Sequence, residues 1–336
     1  MEVIPHRQDE LNQIKMIYNS EQRNRELGVI TFRHWSPVLL LGITGTGKTT
    51  ISHTALDFFP NNLKKMYAVC STSTATMRSL MNEKKNIKDF QQVYQKFKEN
   101  LTDPTIIVLD EIDKLISADD YDLLYYLSRE PKVWLITISN KPSVLSMIKD
   151  KSVRSSFMPR TIFFNEYNPA QLTDILIHYG HDKNFSKEDL GFIANKIFNV
   201  FGGDARALLE IIDYITQFKN GNIDSTLSSA MEWYQSSKVM TLVQTLSIPE
   251  SRLLDIVLRE RYIPLNKVYQ KYNSIYPSFS AKTLSSILDK LVKKDLIAME
   301  IKGNGRAKGQ SFFVRPTMET GESPEILPIV RSNAKL

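Results

Sequence analysis

The sequence predicts an α/β fold with a parallel central sheet, followed by an all-helical segment and a small winged helix-turn-helix domain. Five short apolar runs alternate with helix-like stretches between Val38 and Phe164, which is the pattern of strand-helix-strand units. Strand signals then disappear over 166–236, where apolar residues recur with helical spacing. From Ser251 to Pro316 the order is three helices, a strand, a basic loop and a second strand.

The predicted strands are short enough to cross a sheet once and apolar enough to be buried on both faces. They are 38–41, 67–70, 105–109, 133–138 and 161–164. In the helical segment one apolar face is formed by Leu172, Ile175, Leu176 and Tyr179. A helix begins at Ser186, with Asp189 three residues on, and another begins near Asp204 after two glycines. The apolar side of that last helix comprises Leu208, Leu209, Ile211, Ile212 and Ile215.

Length and composition are those of a globular protein of two or three domains. The chain has 336 residues, of which 42% are hydrophobic and 24% are charged. No run approaches the ~20 apolar residues of a membrane span, and the N-terminus has no apolar signal core. We therefore expect a cytoplasmic protein without a membrane partner. Cys70 is the only cysteine, which excludes an intrachain disulfide and a cysteine-built zinc site.

The positive charge is concentrated near the C-terminus. From Thr241 onward the chain has 15 Lys and Arg against 9 Asp and Glu, and this surplus of 6 equals the net charge of the whole chain. The preceding part is therefore neutral overall. Basic character confined to one small domain is typical of a nucleic-acid partner, although a solvated surface has the same composition.

A phosphate-binding motif follows the first predicted strand. The residues Gly42 to Thr49 match G-x-x-x-x-G-K-[ST] between an apolar strand and a predicted helix, the context that this motif requires. In such a loop backbone N–H groups face phosphate oxygens, Lys48 supplies a positive charge and the Thr49 hydroxyl ligates Mg²⁺. The sequence thus predicts a site for ATP or ADP with Mg²⁺. Its nucleotide-binding residues are Thr44, Gly45, Thr46, Gly47, Lys48, Thr49 and Thr50.

Two carboxylates follow the third predicted strand. Asp110 and Glu111 lie at its C-terminal end, where ligands bind in open α/β sheets. We expect Asp110 to hold Mg²⁺ together with Thr49, and Glu111 to polarise the water that attacks the γ-phosphate. Asn140 can orient that water, and Arg206 can reach the γ-phosphate. Each assignment also has a simpler alternative. Asp110 and Glu111 can be the start of a loop, Asn140 can be a turn residue, and Arg206 can be a solvated arginine in the first helical turn.

Together these segments resemble the archaeal AAA+ replication initiators related to origin recognition complex subunit one and cell division control protein six. The resemblance covers nearly the whole chain. Its motifs, beside the phosphate loop, are Pro5-His6-Arg7, Asp110-Glu111-Ile112-Asp113-Lys114-Leu115, Ile138-Ser139-Asn140 and Gly203-Asp204-Ala205-Arg206. The chain differs from the family in that few residues precede His6, the region between Cys70 and Thr105 is short for the family's DNA-contacting insertion, and Ser152 stands where an arginine is usual.

The sequence patterns and the resemblance together predict an AAA+ nucleotide-binding domain over 1–165, a helical lid over 166–236, a winged-helix DNA-binding domain over 240–316 and, because the last residues have no sustained period, a flexible tail over 317–336. The resemblance also places His6 and Arg7 beside the adenine pocket, Asn140 as sensor 1 and Arg206 as sensor 2. Arg154 becomes the candidate arginine finger.

The winged-helix segment contains the predicted DNA contacts. In its third helix Leu284, Ile287, Leu288 and Leu291 follow core spacing, which leaves the other face outward for a major groove. After the next strand a turn-rich basic loop can lie along a minor groove. A winged helix can instead bind proteins. The candidate DNA-binding residues are Lys282, Ser285, Ser286, Lys290, Lys302, Arg306 and Lys308.

The function that the resemblance implies is a weak ATPase that binds double-stranded origin DNA as a nucleotide-controlled switch. It implies the replicative minichromosome maintenance helicase as a partner, other copies of the chain on DNA, and a nucleoid-associated location. Two alternatives stay open. One is a transcription regulator with the same fold, and the other is a signalling P-loop ATPase with a protein ligand.

Overall fold

The computed structural model describes most of the chain in two compact units, Met1–Leu209 and Glu210–Leu336. The described residues are 4–26, 35–84, 87–218, 222–276, 279–302, 311–317, 320–321 and 325–335. The division between the units falls inside the helical segment predicted as a lid. The four predicted domain boundaries therefore stay predictions, and each unit is described separately.

A five-stranded parallel sheet forms the centre of the first unit. Its strands are β1 (Val38–Leu41), β2 (Lys64–Val69), β3 (Thr105–Asp110), β4 (Val133–Ser139) and β5 (Arg160–Phe163). Their spatial order is β2-β3-β4-β1-β5, and every pair is parallel. Strands β1, β3 and β4 are buried along their whole length, as expected of strands covered on both faces. All five predicted strands are confirmed.

Helices cover both faces of this sheet. They are α1 (Gln8–Glu26), α2 (Lys48–Phe58), α3 (Ser73–Leu80), α4 (Phe90–Glu99), α5 (Asp113–Ser117), α6 (Asp122–Leu127) and α7 (Lys151–Ser156). Along β1 the side chains alternate between two apolar cores: Leu39 belongs to one, and Val38 and Leu40 belong to the other. This packing fixes the sheet edge at which the strands β1, β3 and β4 end.

The helical segment contains α8 (Pro169–His178), a 3₁₀ turn (His181–Lys183), α9 (Lys187–Phe201) and α10 (Ala205–Gln217). Ser186 and Asp189 form the predicted capping box at the start of α9. In α8 the predicted apolar residues Leu172, Ile175 and Leu176 are buried. Tyr179 was expected on the same face but is 52% exposed, because α8 ends one residue before it.

The second unit contains a winged helix-turn-helix domain. After α11 (Ile223–Gln244) come α12 (Ile248–Glu260), β6 (Ile263–Pro264), α13 (Leu265–Ile275), α14 (Ala281–Lys293), β7 (Ile297–Lys302) and β8 (Ser311–Pro316). The strands form an antiparallel sheet in the order β6-β8-β7. The predicted core residues of α14 are all buried: Leu284, Ile287, Leu288 and Leu291. The two-residue strand β6 was not predicted, because so short an element has no periodicity.

The predicted flexible tail contains a helix, which corrects that expectation. Helix α15 (Ile326–Ala334) buries Ile326, Val330 and Ala334 against the winged-helix core. Pro328 interrupts the sequence pattern but lies in the first turn, where no intrahelical N–H bond is lost. Asn333 also donates to the carbonyl oxygen of Val243 at 3.0 Å, which fixes α15 to α11. No helix among the described residues is both long and apolar enough to span a bilayer.

Candidate nucleotide-binding site

The phosphate loop joins β1 to α2 through a turn that only glycine makes without strain. Gly45 and Gly47 have φ values of 75° and 86°, in the left-handed region. Gly47 accepts the first helical bond, from the N–H of Ile51, at 2.9 Å. The free N–H groups at the start of α2 therefore point out of the helix, which is the arrangement that binds phosphate.

The start of α10 packs directly on this loop. Ala205 donates its N–H to the carbonyl oxygen of Gly45 at 3.2 Å. A Cβ on Gly45 would lie 1.9 Å from Oδ1 of Asp204, so no larger residue fits there. Asp204 uses the same oxygen to cap α10, accepting from the N–H groups of Arg206 and Ala207. These contacts place Arg206 at the phosphate loop.

Lys48 is buried in the loop, with 4% of its surface exposed. Its ammonium group donates to the carbonyl oxygen of Ile43 and, at 3.2 Å, to the hydroxyl of Thr46. Burial lowers the pKa of Lys48 to about 8; Asp110 opposes this change, and Arg206 and the nearby Arg7 add to it. A phosphate anion bound beside this buried ammonium group strongly stabilises its charged form.

Three hydrogen bonds orient the carboxylate of Asp110. Its Oδ2 accepts from the Thr49 hydroxyl at 2.8 Å and from the Tyr67 hydroxyl at 3.0 Å. Its Oδ1 accepts from the N–H of Glu111 at 2.8 Å. Thr49 and Asp110 thus form the pair of oxygen groups that fits a P-loop Mg²⁺, which takes its remaining ligands from substrate phosphates and water. The described residues contain no cluster of three or more His, Cys, Asp or Glu that could hold a metal alone.

Glu111 has a left-handed backbone, with φ of 58°. Such a conformation costs free energy for a residue with a Cβ. In Glu111 it accompanies the hydrogen bond from the Glu111 N–H to Oδ1 of Asp110. The Glu111 carboxylate forms an ion pair with Lys114, one helical turn on, and this pairing raises the pKa of Lys114.

The predicted phosphate, magnesium and sensor residues line one cavity of about 230 Å³. Asn140 enters it directly after β4, and Arg206 enters it from the first turn of α10. Their proposed chemical roles remain predictions. The predicted residues on its wall are Thr44, Gly45, Thr46, Gly47, Lys48, Thr49, Thr50, Asp110, Glu111, Asn140 and Arg206.

The cavity has an apolar part that sequence reasoning did not assign. It is lined by Ile4, Ile175, Tyr179 and Leu209. The exposed ring of Tyr179 and the aliphatic side chains suit a flat heterocyclic base. No local motif marks these residues, because they come from the N-terminal segment, from α8 and the residue after it, and from α10.

His6 and Arg7 are not among the described residues that line the cavity, and their nucleotide-binding role stays a prediction. Arg7 is buried and donates from Nε to the carbonyl oxygen of Thr46 at 2.9 Å, and it also forms an ion pair with Glu10. His6 lies 2.9 Å from the carboxylate of Asp174 on α8. Arg7 therefore supports the phosphate loop from behind.

Arg154 is likewise not among the described residues that line this cavity. It lies on α7, and its guanidinium donates to the carbonyl oxygen of Ile148 in the same chain. An arginine finger acts on the nucleotide of a neighbouring subunit, so the role of Arg154 as a finger stays a prediction.

Comparison with known proteins covers both units. Residues 38–165 match the model of the ATPase family associated with various cellular activities (AAA). An ORC1-type DNA replication protein of Methanothermobacter thermautotrophicus is 28% identical over 309 residues, covering 86% of this chain and 84% of the relative. ORC1-type DNA replication protein 2 of Thermoplasma acidophilum is 24% identical, covering 94% and 86%. Over most of its length the chain is similar to ORC1-type DNA replication proteins, and its residues 38–165 match the AAA family.

Two solved structures have a fold similar to that of this chain. The Aeropyrum pernix ORC1 protein in complex with DNA has a TM-score of 0.79 and 21% identity, covering 99% of this chain and 94% of that one. Cdc6p from Pyrobaculum aerophilum has a TM-score of 0.52 and 17% identity, covering 100% and 95%. The match to the AAA family implies nucleotide binding, and the phosphate-loop residues that line the cavity lie within the matched stretch.

The predicted recognition surface of the winged helix is exposed where the structure describes it. On α14 Lys282, Ser286 and Lys290 are exposed and Ser285 is half-buried, opposite the buried leucine face. Lys302 ends β7, but its side chain and residues 303–310, with Arg306 and Lys308, lie outside the described residues.

Proposed function

We propose that this chain is an ATP-dependent DNA replication initiator that binds origin duplex DNA under the control of its nucleotide. The observation that carries the proposal is one chain with both a phosphate cavity and a winged helix whose recognition helix exposes lysines. Relatives named DNA replication proteins, and a DNA-bound structure of similar fold, support it.

In the first unit we assign a hydrolytic role to the groups that line the cavity. Lys48 neutralises the phosphate oxygens, and Thr49 with Asp110 would hold Mg²⁺, which supplies positive charge to the phosphates when bound. Glu111 accepts a proton from the water that attacks the γ-phosphorus, while the bond to the leaving oxygen of ADP breaks. Asn140 orients this water.

Hydrolysis by this site in isolation should be slow. Glu111 is engaged by Lys114, and Arg206 is the sole arginine among the described residues that line the cavity. A further arginine from a neighbouring subunit typically contributes about 10³- to 10⁵-fold in rate. ATP therefore serves mainly as a switch, and Arg206 distinguishes the bound states.

In the second unit we propose that α14 enters the major groove. Its exposed lysines and serines are suited to phosphates and base edges. The basic loop after β7 would lie along the minor groove. Bound in this way at an origin, the protein would be nucleoid-associated and would help to load the replicative minichromosome maintenance helicase, with other copies of itself on the DNA.

Binding of duplex DNA with ATP, with ADP and without nucleotide tests this function. The variant Glu111→Gln should retain the ATP-bound behaviour, and Lys48→Ala should remove all dependence on nucleotide. The double variant Lys282→Ala/Lys290→Ala should weaken binding and reduce its salt slope by about one unit per lost phosphate contact. Lys187→Ala on α9, an exposed lysine of the first unit, is the charge control.

Genomic footprints separate the initiator from its alternatives. One strong site beside the gene supports an initiator, whereas sites distributed over promoters would indicate a transcription regulator. Absence of any DNA affinity, with retained nucleotide binding, would indicate a signalling ATPase and refute the proposal.

A further inference from the structure

Asn140 lies just beyond the part of β4 that the sheet holds in place. The pairing of β4 with β3 ends at Thr137, and its pairing with β1 ends at Ser139. Asn140 therefore follows the last paired residue of the strand, although it lines the nucleotide cavity. A side chain that orients a water molecule must be held to within about 0.5 Å, so contacts outside the sheet have to position it.

The two residues that flank Asn140 both contact the carboxylate of Asp113. The Ser139 hydroxyl donates to Oδ1 of Asp113 at 3.1 Å, and the Lys141 ammonium lies 3.6 Å from Oδ2. The same Ser139 hydroxyl accepts from the backbone N–H of Lys141 at 3.1 Å, which closes the turn around Asn140. Ser139 is fully buried, and 14% of the Asp113 side chain is exposed. Water therefore competes little for the bond between them.

Asp113 also belongs to the short segment that contains Glu111. It begins α5, two residues after Glu111. The residue between them, Ile112, is fully buried and donates its N–H to the carbonyl oxygen of Ile138 on β4 at 3.1 Å. One backbone bond and one side-chain bond thus join this segment to the end of β4. Together they restrict how far the backbone of Glu111 can move relative to that of Asn140.

We propose that Asp113 and Ser139 are positioning residues for ATP hydrolysis, whose hydrogen bond fixes Asn140 relative to Glu111 and thereby places the attacking water. The inference rests on the hydrolytic roles proposed above for Glu111 and Asn140. Neither Asp113 nor Ser139 is among the described residues that line the cavity, so both act through Asn140. The Ser139 carbonyl oxygen also accepts from the N–H of Gly42 at 3.4 Å, which joins this arrangement to the start of the phosphate loop.

The variants Ser139→Ala and Thr137→Val test this assignment as a matched pair. Thr137 is also fully buried, and its hydroxyl donates to the carbonyl oxygen of Val38 on β1 at 2.9 Å. Each variant loses one buried hydroxyl and its bond, so both should lower the melting temperature by similar amounts and bind ATP like wild type. Ser139→Ala should slow single-turnover hydrolysis of ATP about 10- to 100-fold, as expected when a reacting group is misplaced by up to about 1 Å. Thr137→Val should hydrolyse ATP at the wild-type rate.

Combination with Asn140→Ala shows whether Ser139 acts through Asn140. In the Asn140→Ala protein, Ser139→Ala should cause no further loss of rate, because the side chain that Ser139 positions is gone. Asp113→Ala removes the other partner of the hydrogen bond. It should give the same loss of rate as Ser139→Ala, with the same dependence on Asn140.

The alternative outcomes are distinguishable. Hydrolysis by Ser139→Ala and Asp113→Ala at the wild-type rate would overturn the inference and leave the proposed function intact. Equal losses of rate in Ser139→Ala and Thr137→Val would indicate general destabilisation, and additive losses with Asn140→Ala would indicate an effect independent of Asn140; either result would also overturn it. Wild-type protein that binds ATP without hydrolysing it would refute the proposed hydrolytic role, and this inference with it.

Discussion

Raising the pH from 7 to 9 should weaken nucleotide binding, because Lys48 loses its proton in this interval. Burial places the pKa of Lys48 at about 8 in the nucleotide-free protein, against 10.5 for an exposed lysine. A phosphate bound beside the ammonium stabilises its charged form and raises the pKa again. The complex therefore retains the proton that the free protein releases.

The size of the effect follows from the protonated fraction. With a pKa of about 8, roughly nine in ten free molecules carry the charge at pH 7 and roughly one in ten at pH 9. Affinity should thus fall about tenfold, or about 1.4 kcal/mol. Proton uptake on binding should rise from about 0.1 to about 0.9 per nucleotide across the same range.

Stability of the nucleotide-free protein should change in the opposite direction. The pKa of Lys48 is lower in the folded state than in the unfolded state, so the unfolded chain binds more protons between about pH 8 and 10.5. The contribution of Lys48 to the free energy of unfolding therefore rises with pH in this window. If nucleotide binding weakens while the free energy of unfolding rises over the same pH range, alkaline unfolding cannot be the cause of the weaker binding.

Calorimetric titration with ADP in two buffers of different ionisation enthalpy measures the proton uptake directly. Lys48→Arg is the control, because a guanidinium stays charged throughout this range and its binding should be independent of pH. Equal wild-type affinity at pH 7 and 9 without proton uptake would refute the argument from burial.

The other predictions concern the carboxylates and the wing. Glu111→Gln should bind ATP normally and stop hydrolysis; a parallel loss of binding would contradict the division of roles with Lys48. Tyr67→Phe should raise the Mg²⁺ concentration needed for hydrolysis, because Asp110 loses an orienting donor; Tyr94→Phe, whose hydroxyl bonds Glu130 at 3.1 Å, is the control, and equal Mg²⁺ curves would exclude this role. Replacing the wing cations should reduce the salt slope of DNA binding by about one unit per lost contact, and an unchanged slope would remove the wing from the interface. These cations are Lys302, Arg306 and Lys308.

Local patterns predicted much of the fold and the centre of the site. The five strands are apolar runs bounded by turn residues, and the α14 core is a helical repeat, so each is set by neighbours in sequence. The phosphate loop and Asp110-Glu111 are contiguous strings at strand ends, which the sheet topology brings together.

Features that depend on distant contacts could not be predicted. Tyr67 bonds Asp110 from another strand, and Tyr167 reaches Gly47 across the chain, with no spacing rule that connects either pair. Helix α15 is short and contains a proline, and its position follows from the surface of α11 and α12 on which it packs. The resemblance placed Arg7 near the nucleotide, but only the packing shows that it faces the carbonyl oxygen of Thr46.

These distant contacts also indicate how the nucleotide can act beyond its own cavity. The phosphate loop is bonded on one side by Arg7 and on the other by the N–H of Ala205. Asp204, at the start of α10, packs closely on Gly45, since a Cβ on Gly45 would lie 1.9 Å from its Oδ1. Helix α10 continues without interruption to Gln217, so it contains the division between the two compact units. If nucleotide controls the chain as proposed, the hydrogen bond from the Ala205 N–H to the Gly45 carbonyl oxygen is the direct connection through which a change in the phosphate loop would reach α10.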